Sequence, residues 1–122
     1  MTLLLVAVAG AIGAPARFVI ERLLTRPGRL GVPWGTFVVN VTGSFALGVV
    51  AGAALEHGLS ATMVAVVGSG FLGAYTTFST FVYEVVRRAE AGALRLAAAY
   101  VGASVTVGTA AAVIGLTITG AF

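Results

Sequence analysis

The stretch from Gly68 to Phe81 combines helix-breaking glycines with a cluster of hydroxyls inside an otherwise apolar segment. Three glycines fall within six residues, and each weakens a helix by about 1 kcal/mol relative to alanine. Four hydroxyl side chains then follow within five residues: Thr76, Thr77, Ser79 and Thr80. In a bilayer, irregular backbone persists only where protein or a wet cavity satisfies its polar groups. The stretch therefore predicts a transmembrane helix that is broken near its middle and that builds a site.

Composition predicts an all-α membrane protein. Hydrophobic residues make up 59% of the 122 residues and charged residues only 9%, against about a quarter in soluble domains. Because a spanning helix needs about 20 apolar residues, the chain has room for four. The first apolar run lacks a preceding basic region and exceeds signal-peptide length, which favours a helix over a cleaved signal. We expect one transmembrane domain over residues 1–122, with helices near residues 2–24, 33–55, 60–86 and 93–120.

Positive charge is confined to one side of the predicted bundle. The net charge is +3, and all seven positively charged side chains are arginines. Six of them lie in or beside the first and third loops: Arg22, Arg26, Arg29, Arg87, Arg88 and Arg95. The second loop, Glu56-His57-Gly58, and both termini carry no arginine. The positive-inside rule accounts for this charge better than nucleic-acid binding does, and it predicts termini outside the cytoplasm.

Two polar residues inside the predicted helices have both a structural and a functional interpretation. Arg17, which costs about 2.5–3.5 kcal/mol to insert, either reaches the interface and pairs with Glu21 or supplies positive potential to an anion vestibule. Asn40 lies one helical turn from both Thr36 and Ser44, so the three predict a polar stripe. Its amide either joins two helices by a hydrogen bond or donates to a permeating anion.

Aromatic and hydroxyl residues mark a further candidate surface. Phe78, Phe81 and Glu84 share one helix face, and a phenylalanine ring has a positive edge that attracts an anion weakly. Plain packing is the alternative interpretation for the rings. Tyr100 and Ser104 are spaced i, i+4 in the last helix, where hydroxyls either line a path or bond back to their own helix.

Small residues recur at helical spacing, and catalytic residues do not. Gly48 with Gly52 forms a GxxxG pair, and Ala9 with Gly13 is similar, which predicts close helix packing and a helical partner from another subunit. The chain has no cysteine, and its single histidine, His57, falls in a turn, so neither a transition-metal site nor an enzyme is predicted.

Three motifs resemble those of the CrcB/Fluc family of small bacterial fluoride channels. Residues 33–45, from Pro33 to Phe45, resemble the second helix of that family, and residues 70–81 resemble its third. Gly10 to Gly13, followed by Arg17, is similar to its first helix. The resemblance covers the whole chain, and the Thr-Thr-Phe-Ser-Thr-Phe run beside a glycine break is its most specific part.

The resemblance implies a passive fluoride channel of the bacterial plasma membrane, built as an antiparallel dimer with two pores. It also implies a structural sodium ion held by backbone carbonyls of Gly73 and Thr76. The implied roles of other residues follow the same matching: Asn40 donates to fluoride, Phe78 and Phe81 present ring edges, and Glu84 lies near a pore end. Arg17 would lie in a vestibule. The implied polar track consists of Ser79, Thr80, Tyr100 and Ser104.

The arginine bias departs from this family pattern, because members that insert in both orientations have nearly balanced loops. The bias suggests that the chain pairs with a related subunit of opposite orientation, with self-pairing as the alternative. Two other functions stay open at this point. One is a small four-helix multidrug exporter, although Arg17 stands where such an exporter needs a membrane-embedded carboxylate. The other is a membrane assembly subunit that transports nothing.

Overall fold

The computed structural model describes residues 1–26 and 30–120. Within these ranges, four helices are long and apolar enough to cross a membrane. They are α1 (Thr2–Leu24), α2 (Trp34–His57), α3 (Ala61–Glu90) and α4 (Leu94–Thr117). The sequence-based prediction of an all-helical protein with four such helices is confirmed. The predicted loop residues Pro27, Gly28 and Arg29 lie outside the described residues.

Short turns with glycine join the later helices. Gly58 caps the C-terminal end of α2, and its φ of 64° lies in the left-handed region that side chains disfavour. The Ser60 hydroxyl then accepts a hydrogen bond from the Met63 amide and caps the start of α3. Gly92, with φ of 79°, turns the chain between α3 and α4. Because these connections are short, consecutive helices run in opposite directions.

Helix α3 is not a uniform α-helix. It begins with an α-helical turn, Ala61–Val64, and continues as a π-helix over Ala65–Leu72. A three-residue α-helical segment, Gly73–Tyr75, leads to Thr76, whose φ of −79° and ψ of 159° are extended. Residues 76–78 are not helical, and an α-helix resumes over Ser79–Glu90. This irregular backbone coincides with the glycine and hydroxyl stretch of the sequence.

Glycines allow the helices to pack at backbone distance within the chain. Helix α2 packs chiefly against α4, and α1 packs chiefly against the π-helix of α3. A Cβ added at Gly48 would collide with the Ala112 carbonyl of α4, and one at Gly13 would collide with the Phe71 carbonyl. The small-residue pairs identified in the sequence therefore meet helices of the same chain, which gives them a packing role without a second subunit.

The buried core is small, and much apolar surface faces outward. Val39, Leu72 and Tyr75 form the core cluster, with partly buried residues of α1 and α2 around it. Large apolar side chains such as Leu3 (84% exposed) and Leu55 (72% exposed) project away from the protein. Such exposure suits a chain whose outer surface contacts lipid, so the fold is that of a multi-pass membrane protein.

Candidate functional site

The Asn40 side chain braces the non-helical residues of α3. Its Nδ2 donates to the Thr77 carbonyl oxygen at 2.8 Å, and its Oδ1 accepts from the Thr77 amide nitrogen, also at 2.8 Å. One asparagine thus replaces the two backbone partners that Thr77 lacks where the helix stops. An asparagine amide has two N–H donors, so this pairing leaves one available. Bracing and donation to an ion are compatible at Asn40.

The same pairing affects two backbone carbonyls. In an α-helix, the Gly73 carbonyl would accept from the Thr77 amide, and the Thr76 carbonyl from the Thr80 amide. Here the Thr77 amide bonds to Asn40, and the Thr80 amide bonds to the Thr77 hydroxyl at 3.2 Å. The carbonyls of Gly73 and Thr76 are therefore released from their usual helical donors.

An open cavity of about 390 Å³ lies along this part of α3. It brings together six of the residues that the sequence singled out: Asn40, Gly73, Thr76, Phe78, Phe81 and Ser104. Ser44, the third member of the predicted polar stripe, also lines it. The Ser104 hydroxyl oxygen is buried and has no hydrogen-bond partner among the described residues. A buried hydroxyl without a partner is uncommon in proteins, and this one belongs to a residue that borders the cavity.

Aromatic rings continue from this cavity into the protein. The ring centroids of Phe78 and Phe81 are 6.1 Å apart, and those of Phe81 and Tyr100 are 5.2 Å apart. Phe78 is 78% exposed, whereas Tyr100 is 3% exposed. The row therefore leads from the surface of the single chain to the buried Tyr100.

Glu84 lies at the inner end of this aromatic row. The Thr36 hydroxyl donates to its Oε1 at 3.1 Å, and the Tyr100 hydroxyl donates to its Oε2 at 3.1 Å. Helices α2 and α4 thus each supply one donor to a carboxylate on α3. Tyr100 links the two regions, because its ring contacts Phe81 while its hydroxyl holds Glu84.

A second cavity, of about 370 Å³, opens beside Glu84. Thr80 and Thr36 line it, together with Glu21 and Arg22 of α1. Thr80 thus lies on this second cavity, not on the first. Two carboxylates, those of Glu21 and Glu84, therefore border the same space.

Three predicted site residues line neither cavity: Arg17, Ser79 and Tyr100, the last of which lies between Phe81 and Glu84. Arg17 is partly buried on α1 and lines neither of the two. Ser79 is exposed, and its hydroxyl lies 3.4 Å from the Thr77 hydroxyl. Pairing of Arg17 with Glu21 was one of the two interpretations of Arg17. In the structure, one of the two carboxylate oxygens of Glu21, Oε1, has no hydrogen-bond partner among the described residues, so it does not bond to Arg17.

Arg88 is a residue whose position the sequence did not predict. Its charge suggested the third loop, but α3 continues to Glu90 and leaves Arg88 only 5% exposed. Its guanidinium donates to the carbonyl oxygens of Gly31 and Glu84, which satisfies its hydrogen-bond donors inside the protein. Glu21 was likewise not connected with Glu84, because no local pattern joins residues that far apart in the chain.

Comparison with known proteins gives matches over most of the chain. A family model described as "CrcB-like protein, Camphor Resistance (CrcB)" matches residues 4–116. A protein of Frankia casuarinae named "Fluoride-specific ion channel FluC 1" is 46% identical over 120 residues, covering 94% of this chain and 93% of the relative.

Two further relatives carry the same name. The one from Streptomyces avermitilis is 43% identical over 116 residues, covering 95% of this chain and 94% of the relative. The one from Leifsonia xyli subsp. xyli is 49% identical over 90 residues, covering 74% of this chain and 66% of the relative. The family match over residues 4–116 and these identities show that the chain belongs to the CrcB-like family.

Proposed function

We propose that this protein is a subunit of a fluoride-selective channel that lets fluoride leave the cytoplasm passively through the bacterial plasma membrane. The observation that carries the proposal is the first cavity. It is bordered by one asparagine amide, two phenylalanine rings and a serine hydroxyl that lacks a partner among the described residues. Relatives of the protein are named as fluoride-specific ion channels, which supports the same assignment.

The chemistry of these groups suits a small, strongly hydrated anion. A narrow path must replace the water around the ion with other donors, as selectivity filters do. The second N–H of Asn40 and the hydroxyl of Ser104 supply hydrogen bonds. The positive ring edges of Phe78 and Phe81 supply a weaker attraction, which lets the ion leave again. Ser79, Thr80 and Tyr100 extend the set of hydroxyls along α3 and α4, and Arg17 adds positive potential nearby.

The interruption of α3 is proposed to act as a broken transmembrane helix that also holds a structural sodium ion. The released carbonyls of Gly73 and Thr76 fit that role, because unwound backbone carbonyls are typical sodium ligands in membrane proteins. Both residues border the open cavity, and Gly73 is exposed in the single chain. The sodium ion would neutralise carbonyl dipoles where two such helices cross.

The cavity is open on one side in the single chain, which supports completion by a second subunit. Phe78 exposes most of its ring there, an unusual position for a pore residue of a monomer. An antiparallel dimer would cover the ring and place two interruptions of α3 against each other. The arginine bias favours a partner chain of opposite orientation, with this chain's termini outside the cytoplasm.

Export needs no energy source other than the membrane potential. A potential that is negative inside drives an anion outward, with about 2.3 kcal/mol per charge per 100 mV. The multidrug-exporter alternative is not favoured, since relatives of this chain are named as fluoride-specific ion channels.

Fluoride efflux from liposomes tests the proposal. The purified protein should release trapped fluoride when a potassium ionophore sets the potential, and it should leave trapped chloride in place. A cationic dye serves as the control for exporter activity. Dye transport without fluoride efflux would establish the exporter, and no transport of any solute by protein that is reconstituted as a dimer would favour an assembly subunit.

A further inference from the structure

Arg88 is a buried charge that has no role in the fluoride pathway proposed above. Its Nε and Nη2 donate to the Gly31 carbonyl oxygen at 3.1 and 2.5 Å, and its Nη1 donates to the Glu84 carbonyl oxygen at 2.8 Å. Burying a guanidinium is costly unless it is paired and hydrogen-bonded. Carbonyl oxygens satisfy its donors but leave its positive charge uncompensated.

The compensating charge is on the Glu84 side chain, one helical turn earlier on the same face of α3. Both groups lie beside Tyr100. The Arg88 guanidinium carbon lies 5.8 Å from the Tyr100 ring centroid, and the Tyr100 hydroxyl donates to Glu84 at 3.1 Å. Arg88, Tyr100 and Glu84 therefore form one contiguous cluster.

The surroundings of Glu84 show why a counter-charge matters for an anion. Glu84 borders the second cavity together with Glu21, so two carboxylates repel any anion that enters it. Arg22 also borders this cavity, but it is exposed and its guanidinium carbon lies 5.9 Å from the Phe18 ring centroid. Solvent and salt screen an exposed charge far more than a buried one, so Arg88 has the stronger effect on Glu84.

We propose that Arg88 is the counter-charge that keeps the Glu84 end of the pathway permissive for anions. Arg88 is a positioning residue: it acts through Glu84 and Tyr100 and does not touch the ion. The inference rests on the proposed fluoride channel function and deepens it.

Paired substitutions separate the charge of Arg88 from its hydrogen bonds. Arg88→Lys keeps the charge and loses the forked geometry, whereas Arg88→Gln loses the charge and keeps an N–H donor for Gly31. In liposome efflux, we expect at least a tenfold loss of fluoride flux in Arg88→Gln and less than a threefold loss in Arg88→Lys. Arg87→Gln, at the exposed neighbouring position, is the matched control and should conduct as the wild type does.

The double variant tests the route through Glu84. If Arg88 acts as a counter-charge, Arg88→Gln should have little further effect in a Glu84→Gln background, because no carboxylate then needs compensation. A tenfold loss that persists in that background would overturn the inference, as would wild-type flux in Arg88→Gln. If Glu84→Gln itself stops conduction, the comparison of Arg88→Lys with Arg88→Gln decides. An equal loss of fluoride flux in these two variants overturns the proposal.

Folding failures also give an answer. If Arg88→Gln does not assemble but the double variant assembles and conducts, the charge pairing is supported. If neither assembles on size-exclusion chromatography, Arg88 serves the fold alone and the inference is wrong. A wild-type protein that assembles as a dimer but shows no fluoride flux would instead reject the proposed function itself, so the two failures are distinguishable.

Discussion

Asn40 on α2 and Thr77 on α3 exchange two hydrogen bonds of 2.8 Å, one in each direction. This amide-to-backbone pair occupies the point where α3 loses its helical hydrogen bonds, and it joins two of the three helices that border the first cavity. It links the shape of the backbone to the chemistry of the site, because the same pairing releases the Gly73 carbonyl.

Asn40→Ala should abolish fluoride flux and also lower stability. The substitution removes the proposed ion donor and leaves the Thr77 N–H and C=O without partners, at a cost of about 1–3 kcal/mol. Flux is measured by liposome efflux, and stability by unfolding of the purified dimer in detergent. Ser44→Ala, one turn further along α2, is the control for stability. Wild-type flux in an assembled Asn40→Ala protein would remove Asn40 from the pathway.

Phe78→Ile should stop fluoride flux with little change in the stability of the subunit. The ring is 78% exposed in the single chain, so its loss disturbs little internal packing, whereas isoleucine offers no ring edge to an anion. Phe45→Ile, an exposed phenylalanine on α2, is the matched control. The measurement is efflux from liposomes with equal amounts of assembled protein. Equal flux in the two variants would contradict the role of the Phe78 ring.

The long apolar runs predicted the helices, because hydropathy over about 20 residues depends on few details. Gly58 marked a turn for a different reason, namely that glycine readily adopts the left-handed φ found there. The π-helix over Ala65–Leu72 was not predictable, because i→i+5 bonding leaves no distinct period in a short glycine-rich run. The end of α3 was placed at 86 instead of Glu90, because two adjacent arginines resemble loop charges until Gly31 is seen to accept from Arg88.

The composition of the site was more predictable than its connections. Residue types and spacing made Asn40, Phe78, Phe81 and Ser104 candidates, the family resemblance implied their roles, and the structure brings them to one cavity. The pairing of Asn40 with Thr77 and the sharing of Glu84 by α2 and α4 depend on helix register. A single sequence carries no local signal for register between distant helices, so those partners emerged only from the fold.

Gly48→Ala should destabilise the fold by about 1–3 kcal/mol, the usual cost of overpacking. Its new Cβ would collide with the Ala112 carbonyl oxygen, and α2 and α4 would have to separate. Gly102→Ala is the matched control, because no atom lies within 4 Å of a Cβ placed there. Unfolding in mixed detergent micelles, followed by circular dichroism, measures both variants. Equal stabilities would show that the α2–α4 approach tolerates a methyl group.

Removing sodium should lower the thermal stability of the dimer and reduce fluoride flux. If sodium binds only the assembled protein, its midpoint temperature should rise with sodium concentration when N-methylglucamine is the replacement cation. Gly73→Ala keeps the proposed carbonyl ligand and is expected to keep this dependence; within the single chain, a Cβ there has its nearest neighbour, the Gly68 carbonyl oxygen, at 3.7 Å. Thr76→Val should keep it too, since the proposed ligand is a carbonyl. Loss of sodium dependence in Thr76→Val would instead identify the hydroxyl as the ligand.

Expressed alone, the chain should insert in a single orientation with both termini outside the cytoplasm. Six of its seven arginines lie in or beside the first and third loops, and the positive-inside rule retains such loops in the cytoplasm. Reporter fusions at the C-terminus, active on one side of the membrane only, measure the orientation. Glu56→Arg with His57→Arg adds positive charge to the exposed second loop and should produce a mixture of orientations. Equal populations in the unmodified chain would reject the fixed orientation, and with it the need for a partner of opposite bias, because the chain could then form an antiparallel dimer with itself.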